Sequence, residues 1–165
     1  MSQSLNFILL NGPMGSGKST IAGLLLKKLQ RTAVLEIEDI RRFVTGSEDN
    51  ALAWKVIYRM CDEYLKNGVS ILLKQTVASQ EIVDRFLQLA KKHKCNVCFY
   101  HLQAPRDQLL KRIQNRSKNG KASKALINSN IAKQEQINYP TATVIDTKEM
   151  NARDVAKLIL RSWKY

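Results

Sequence analysis

The stretch Gly12-Pro13-Met14-Gly15-Ser16-Gly17-Lys18-Ser19 satisfies the pattern G-x-x-x-x-G-K-[ST] at every fixed position. The apolar run Phe7-Ile8-Leu9-Leu10 stops directly before it and a leucine-rich helical pattern starts directly after it. Strand, loop and helix therefore follow in the order that a phosphate-cradling loop requires. A loop that wraps round phosphate oxygens with its N–H groups turned inward needs small residues in unusual dihedrals, which Gly12, Gly15 and Gly17 supply. The helix opening at Lys18 adds its positive dipole end, the Lys18 ammonium has the reach for β- and γ-phosphates, and the Ser19 hydroxyl is the expected magnesium ligand. Thr20 follows on the first helical turn and closes the expected nucleotide-binding set, which also takes in Pro13, Met14 and Ser16.

Periodicity places further elements around this loop. Leu5 to Leu10, Ala33 to Ile37, Val69 to Leu73, Asn96 to Leu102 and Thr143 to Ile145 read as short buried strands. Between them lie amphipathic helices. The first carries Ile21, Leu24, Leu25 and Leu29 and ends near Arg31; the next starts at Glu38; a third runs from Leu52 to Leu65 and stops at Asn67-Gly68. Ile82, Val83, Phe86 and Leu89 mark a fourth, Pro105 opens a fifth that bears Leu109, Leu110 and Ile113, and Asn151 caps a last one. Five apolar strands alternating with helices predict an α/β fold whose parallel sheet is covered on both faces, with ligands at the carboxyl ends of the strands.

With 165 residues the chain is expected to form a single domain, residues 1–165, with no linker or internal repeat. Twenty-seven Lys and Arg against fourteen Asp and Glu leave a net charge of +13, which favours polyanionic partners such as RNA or DNA. No apolar run reaches the ~18 residues of a membrane span, no signal peptide is evident, and three cysteines suit a reducing compartment. The expectation is an intracellular protein, cytoplasmic or nuclear, without a membrane partner. His93, Cys95, Cys98 and His101 have zinc-ligand chemistry, but most lie on or beside one strand with no loop to fold round a metal, so no zinc site is predicted. Trp54 and Tyr58, four apart on a helix, read as core packing ahead of a base-stacking platform.

Two constellations lie at strand ends. Just after the second strand, Glu38 and Arg41 are three residues apart, as are Asp39 and Arg42, so each carboxylate stands beside a guanidinium on a helix. A hydroxyl acceptor is served by such a pair: the carboxylate takes or orients its proton and the arginine grips a neighbouring anion. After the fourth strand no acidic residue occurs between Asp107 and Glu135, where seven basic ones do: Lys111, Arg112, Arg116, Lys118, Lys121, Lys124 and Lys133. This reads as a basic lid, about residues 111–127, with Arg112 and Arg116 on one face and Gly120 giving it freedom.

The order of the phosphate loop, Glu38-Asp39-Ile40-Arg41 and Lys111-Arg112-Ile113-Gln114-Asn115-Arg116 resembles that of the polynucleotide 5′-hydroxyl kinases and their small P-loop kinase relatives, over nearly the whole chain. The resemblance implies a three-layer α/β/α P-loop NTPase fold with a five-stranded parallel sheet, ATP and Mg2+ as cofactors, and γ-phosphoryl transfer to a hydroxyl, with a nucleic-acid 5′-OH as the favoured acceptor. By the same resemblance Glu38, with Asp39 as substitute, is the general base, Arg41 the acceptor clamp, Arg112 and Arg116 the lid arginines on the donor phosphates, and Val144 to Thr147 the turn near adenine. No N-K-x-D tetrapeptide specifies guanine.

The chain departs from that pattern twice. Glutamate stands where the family has aspartate as base, and Lys74-Gln75-Thr76 follows the third strand where an aspartate and threonine are usual, so Gln75 offers magnesium no charged ligand. Two further readings stay open beside the leading one: a kinase of small metabolites or nucleotides, similar to gluconate, shikimate or nucleoside monophosphate kinases, and a nucleotide-binding module with little catalysis. The oligomeric state is not fixed by these residues.

Overall fold

The structure, a computed structural model, describes residues 4–44, 50–116 and 124–163. Its centre is β1 (Asn6–Asn11), buried at all six positions. Strand alternation explains why: Phe7 and Leu9 point into one apolar cluster, Ile8 and Leu10 into another on the opposite face. A strand apolar on both faces needs a layer of helices on each side.

The remaining strands are β2 (Thr32–Leu35), β3 (Ser70–Lys74), β4 (Asn96–Gln103) and β5 (Thr143–Asp146). All pairings are parallel, in the order β2-β3-β1-β4-β5. The connection from β1 runs to β2 on one side of the sheet and that from β4 to β5 on the other, so the crevice between the carboxyl ends of β1 and β4 is a topological switch point, where ligands bind in open α/β sheets. The phosphate loop begins there, directly after Asn11.

On one face, α3 (Asn50–Lys66) and α4 (Gln80–Lys92) bury Ile57, Cys61, Leu65, Val83, Phe86 and Leu89 against Phe7, Leu9, Ile71 and Leu73. Trp54 and Tyr58 pack on Phe86, each with ring centroids 5.8 Å apart. On the other face, α1 (Lys18–Leu26) and α7 (Ala152–Ser162) bury Ile21, Leu25, Val155 and Ile159 against Ile8, Leu10, Leu72 and Leu102. The result is a three-layer α/β/α P-loop NTPase fold.

Local signals account for several boundaries. Gly68, at φ +71°, closes α3 in a paired-bond turn: its N–H reaches the Leu65 carbonyl at 3.1 Å and the Val69 N–H reaches Tyr64 at 2.9 Å. Asn151 caps α7, its side-chain oxygen accepting from the N–H groups of Arg153 and Asp154 at 3.0 and 3.1 Å.

Several boundaries differ from the sequence-based expectation, most by only one or two residues. The first helix ends at Leu26, not near Arg31. The second strand stops at Leu35, because Ile37 already opens α2 (Ile37–Arg41). Pro105 lies just ahead of α5 (Arg106–Arg116), its carbonyl accepting the Leu109 N–H at 3.0 Å. An additional helix, α6 (Lys124–Glu135), follows where sequence reading expected only a polar stretch. Its Ile127 and Ile131 join Leu109 in a third apolar cluster that touches Met14 of the phosphate loop. Of the expected lid, residues 117–123 lie outside the described residues.

Candidate nucleotide site

The loop between β1 and α1 is held from all sides. Gly12 has φ +145°, and a Cβ there would stand 2.5 Å from the Leu102 carbonyl oxygen, so β4 itself excludes any side chain at this position. Gly17 caps α1 in the left-handed region, at φ 101°. Thr76 donates to the Gly12 carbonyl at 2.9 Å, and Asn11 exchanges side-chain bonds with the N–H and carbonyl of Val77 at 2.8 and 3.2 Å. On the far side the Met14 N–H donates to the Asn130 side chain of α6 at 3.0 Å. Such a cradle is organised before any phosphate arrives, so little ordering cost remains at binding.

Lys18 turns back over this loop and donates to the carbonyls of Gly12 and Pro13 at 2.7 and 2.9 Å. Arg112, from the middle of α5, lies along its other flank. One guanidinium nitrogen donates to the Thr147 hydroxyl at 2.8 Å, the other to the Thr147 carbonyl at 2.7 Å, and the first also reaches the Gly15 carbonyl at 3.5 Å. Thr147 is pinned in turn by bonds from its N–H and hydroxyl to the Gln103 carbonyl, at 2.8 and 3.0 Å. Arg112 thus ties α5 to the turn after β5. Between them opens a cleft of about 640 Å³ lined by Gly15, Gly17, Thr20, Arg112, Thr147 and Met150, among others. Arg116 ends α5, and its side chain is not among the described ones.

The acceptor-side candidates stand on α2, beyond the carboxyl end of β2. Glu38 and Asp39 are exposed and Arg41 is half-buried. Asp39 pairs with Arg42 at 3.0 Å, with both side chains more than half exposed, a geometry that contributes ~0–1 kcal/mol. The structure therefore gathers Lys18, Ser19 and Arg112 round the loop and leaves Glu38, Asp39 and Arg41 on the rim of the same sheet edge.

Between these groups stand two residues to which the sequence assigns no role: Glu36 is in no motif, and Lys74 enters only as part of a departure from the family pattern. Glu36, the residue between β2 and α2, forms an ion pair with Lys74 at the end of β3, and the Lys74 ammonium donates to the Ser19 hydroxyl at 3.4 Å. The rule that ligands gather at strand ends points to both positions, since each stands at the carboxyl end of its strand.

This arrangement does not fit a magnesium site on Ser19. The hydroxyl faces an ammonium, and the neighbouring carboxylate, Glu36, is held by that same ammonium. Two unit charges ~4 Å apart repel by ~4 kcal/mol at an effective dielectric of ~20, and a divalent ion doubles that. Gln75, the residue that stands in place of the expected acid, is buried and points elsewhere: its side-chain carbonyl accepts the Ile37 N–H at 2.9 Å.

Of the four residues with zinc-ligand chemistry, His93 bonds the Asp62 carboxylate at 2.8 Å, and burial pushes the Cys95 thiol up to about 11. His101 lines a second cleft of about 470 Å³ with Pro13, Gln134 and Tyr139. Burial, and then the nearby Lys18 ammonium, push its imidazole below the ordinary range.

A protein-family model described as an AAA domain matches residues 7–140, and the chain belongs to that family. No curated protein matches the sequence significantly. Among solved structures the chain is similar to a sugar kinase from Janibacter sp., at 19% identity and a TM-score of 0.69 over 95% of this chain and 93% of that one. It is similar to the APS kinase CysC of Mycobacterium tuberculosis, solved in complex with AMPPNP and APS, at 15% identity and a TM-score of 0.67 over 97% and 98%. A chain of the Pnkp1/Rnl/Hen1 RNA repair complex is also similar, at 18% identity and a TM-score of 0.69, over 86% of this chain and 50% of that one. The fold is thus that of a P-loop kinase-like domain. Among the described residues no helix is long and apolar enough to cross a membrane.

Proposed function

We propose that the protein is a phosphotransferase that moves the γ-phosphoryl group of ATP to a hydroxyl, with the 5′-OH of RNA or DNA as favoured acceptor. The observation that carries this reading is the Arg112 fork: a lid arginine bonded at once to the phosphate loop and to the turn after β5. A plain nucleotide-binding loop needs no such cation on its open flank, whereas phosphoryl transfer gains from charge aimed at the transferring group.

In this reading the loop amides and Lys18 hold the donor phosphates. The acceptor oxygen forms a bond to the γ-phosphorus as the bond to the β–γ bridging oxygen breaks, ADP departs, and the acceptor proton passes to Glu38, with Asp39 as substitute. Arg41 grips the phosphate adjoining the acceptor, and Arg112 with Arg116 offsets charge on the transferring group. The net charge of +13 and the likeness to a chain of an RNA repair complex favour a nucleic-acid acceptor over a small one. The reading includes a protein of the cell interior, cytoplasmic or nuclear.

The test is transfer of radiolabel from γ-labelled ATP, in the presence of magnesium, to 5′-hydroxyl RNA and DNA oligonucleotides alongside nucleosides, nucleotides and sugar acids. Label on oligonucleotides, falling steeply as salt rises through counterion release, is the expected result. Label only on a small molecule replaces the acceptor. A second reading, a nucleotide-binding module with little catalysis, draws on the Lys74 ammonium beside Ser19; it predicts ATP binding without transfer to any acceptor in the panel.

A further inference from the structure

Lys74 pairs with Leu10 across the β1–β3 ladder, so its side chain leaves the sheet at the same end as the phosphate loop. Its side chain is 14% exposed, and its ammonium is held between two anchors: the carboxylate of Glu36, whose side chain is 23% exposed, and the Ser19 hydroxyl at 3.4 Å. Ser19 lies in the first turn of α1, whose positive dipole end faces incoming phosphate. Lys18 covers the loop carbonyls from its own side. Two ammonium groups therefore flank the place where phosphate oxygens enter, one of them at the hydroxyl that would otherwise serve a divalent ion.

We propose that Lys74 is a built-in cation that takes over the charge-neutralising part of a divalent ion, so that this chain binds nucleoside triphosphates with little dependence on magnesium. Glu36 neutralises and positions the ammonium while the site is empty. When phosphate arrives, the ammonium is already within reach of Ser19 and gains a second anionic partner, a charge-assisted hydrogen bond of the strong kind. A mobile lysine on the surface does not do this, because its side-chain freedom has to be given up at binding. Here the ion pair has already removed that freedom. Lys74 acts on the bound nucleotide through its charge, which makes it a binding residue whose substitution changes the metal dependence of affinity.

The inference rests on the nucleotide site of the reading above and not on its acceptor. It is tested by equilibrium binding of a fluorescent ATP analogue to the full chain, in excess magnesium and in excess EDTA at matched ionic strength. For the wild type the dissociation constant is expected to change by less than ~3-fold between the two conditions, while Lys74→Met binds ~10-fold or more weakly in EDTA and recovers with magnesium. Lys74→Arg, which keeps the charge, is expected to retain binding in EDTA. Wild-type affinity that falls ~10-fold or more in EDTA overturns the proposal, as does a Lys74→Met protein that binds equally well without metal. If Lys74→Met does not fold, the wild-type comparison decides alone. None of these outcomes depends on phosphoryl transfer, so a failed kinase assay and a failed cation are read separately.

Discussion

The Gln75 side-chain carbonyl accepts the backbone N–H of Ile37 at 2.9 Å, across the gap between the ends of β3 and β2. The first N–H groups of a helix have no partner within it, and α2 has only five residues. Gln75 supplies one partner from a neighbouring strand. Its own N–H is bonded to the Leu10 carbonyl at 3.1 Å, so the glutamine links the central strand to the helix that carries Glu38 and Arg41. An aspartate, one methylene shorter, does not span the same distance from the same backbone.

Gln75→Ala is therefore expected to cost ~1–3 kcal/mol of stability, because it leaves a buried N–H without a partner. Urea unfolding at neutral pH checks this. The same variant should raise KM for the acceptor more than for ATP, since α2 shifts while the loop remains held by Thr76 and Asn11. An equal rise in both would mean that Gln75 supports the loop and not the acceptor rim.

The roles proposed for Lys18 and Glu38 are both read in turnover. Lys18→Ala is expected to lower turnover by ~10²-fold or more through loss of charge at the donor phosphates. Glu38→Gln is expected to lower it by ~10²–10⁴-fold, within the range for a removed general base. Steady-state transfer to whichever acceptor accepts label checks both, and a Glu38→Gln enzyme of unchanged rate refutes the role given to that carboxylate.

Much of this architecture is legible in the residues. Phe7 to Leu10 and Ile71 to Leu73 are apolar without alternation, which reads as strands covered on both faces, and Asn67-Gly68 announces the end of α3 because only a left-handed residue closes that turn. The boundary at Ile37 is hidden, because an isoleucine following Ala33 to Leu35 looks like more strand until Gln75, 38 residues on, is seen to bond its N–H. Helix α6 is hidden for another reason: its buried apolar residues are Ile127 and Ile131, the next buried position of that face is the polar Gln134, and Leu126 faces solvent at 57% exposure, so the apolar residues do not form one stripe. The ion pair of Glu36 with Lys74 escapes a motif reading altogether. Glu36 belongs to no pattern, Lys74 marks only a departure from one, and the pairing of β2 with β3 is what brings them together.

Arg112 holds Thr147 with two parallel bonds, a planar fork that a lysine cannot reproduce. Arg112→Lys is expected to weaken ATP binding about tenfold, which corresponds to ~1.4 kcal/mol and to the loss of one charge-assisted bond. Titration with a fluorescent ATP analogue reads this directly. Affinity equal to that of the wild type would mean that charge alone, without the fork, serves the nucleotide.

His101 links acidity to stability. It is 9% exposed, its ring packs at a tilt of 37° against Tyr139 with centroids 5.1 Å apart, and its Nδ1 has no hydrogen-bond partner among the described residues. Burial first, and the Lys18 charge second, hold its pKa below the ordinary 6.5. The folded state therefore resists a proton that the unfolded chain accepts, so stability is intact above the ordinary histidine range and falls as pH drops through it. The loss is complete once pH passes below the depressed folded value. Thermal unfolding from pH ~7 down to pH ~5 should show the melting temperature of the wild type declining, and His101→Phe should flatten that decline. An unchanged slope in His101→Phe would assign the acid sensitivity to another group. A steeper one would show that the imidazole takes up its proton in the folded state after all.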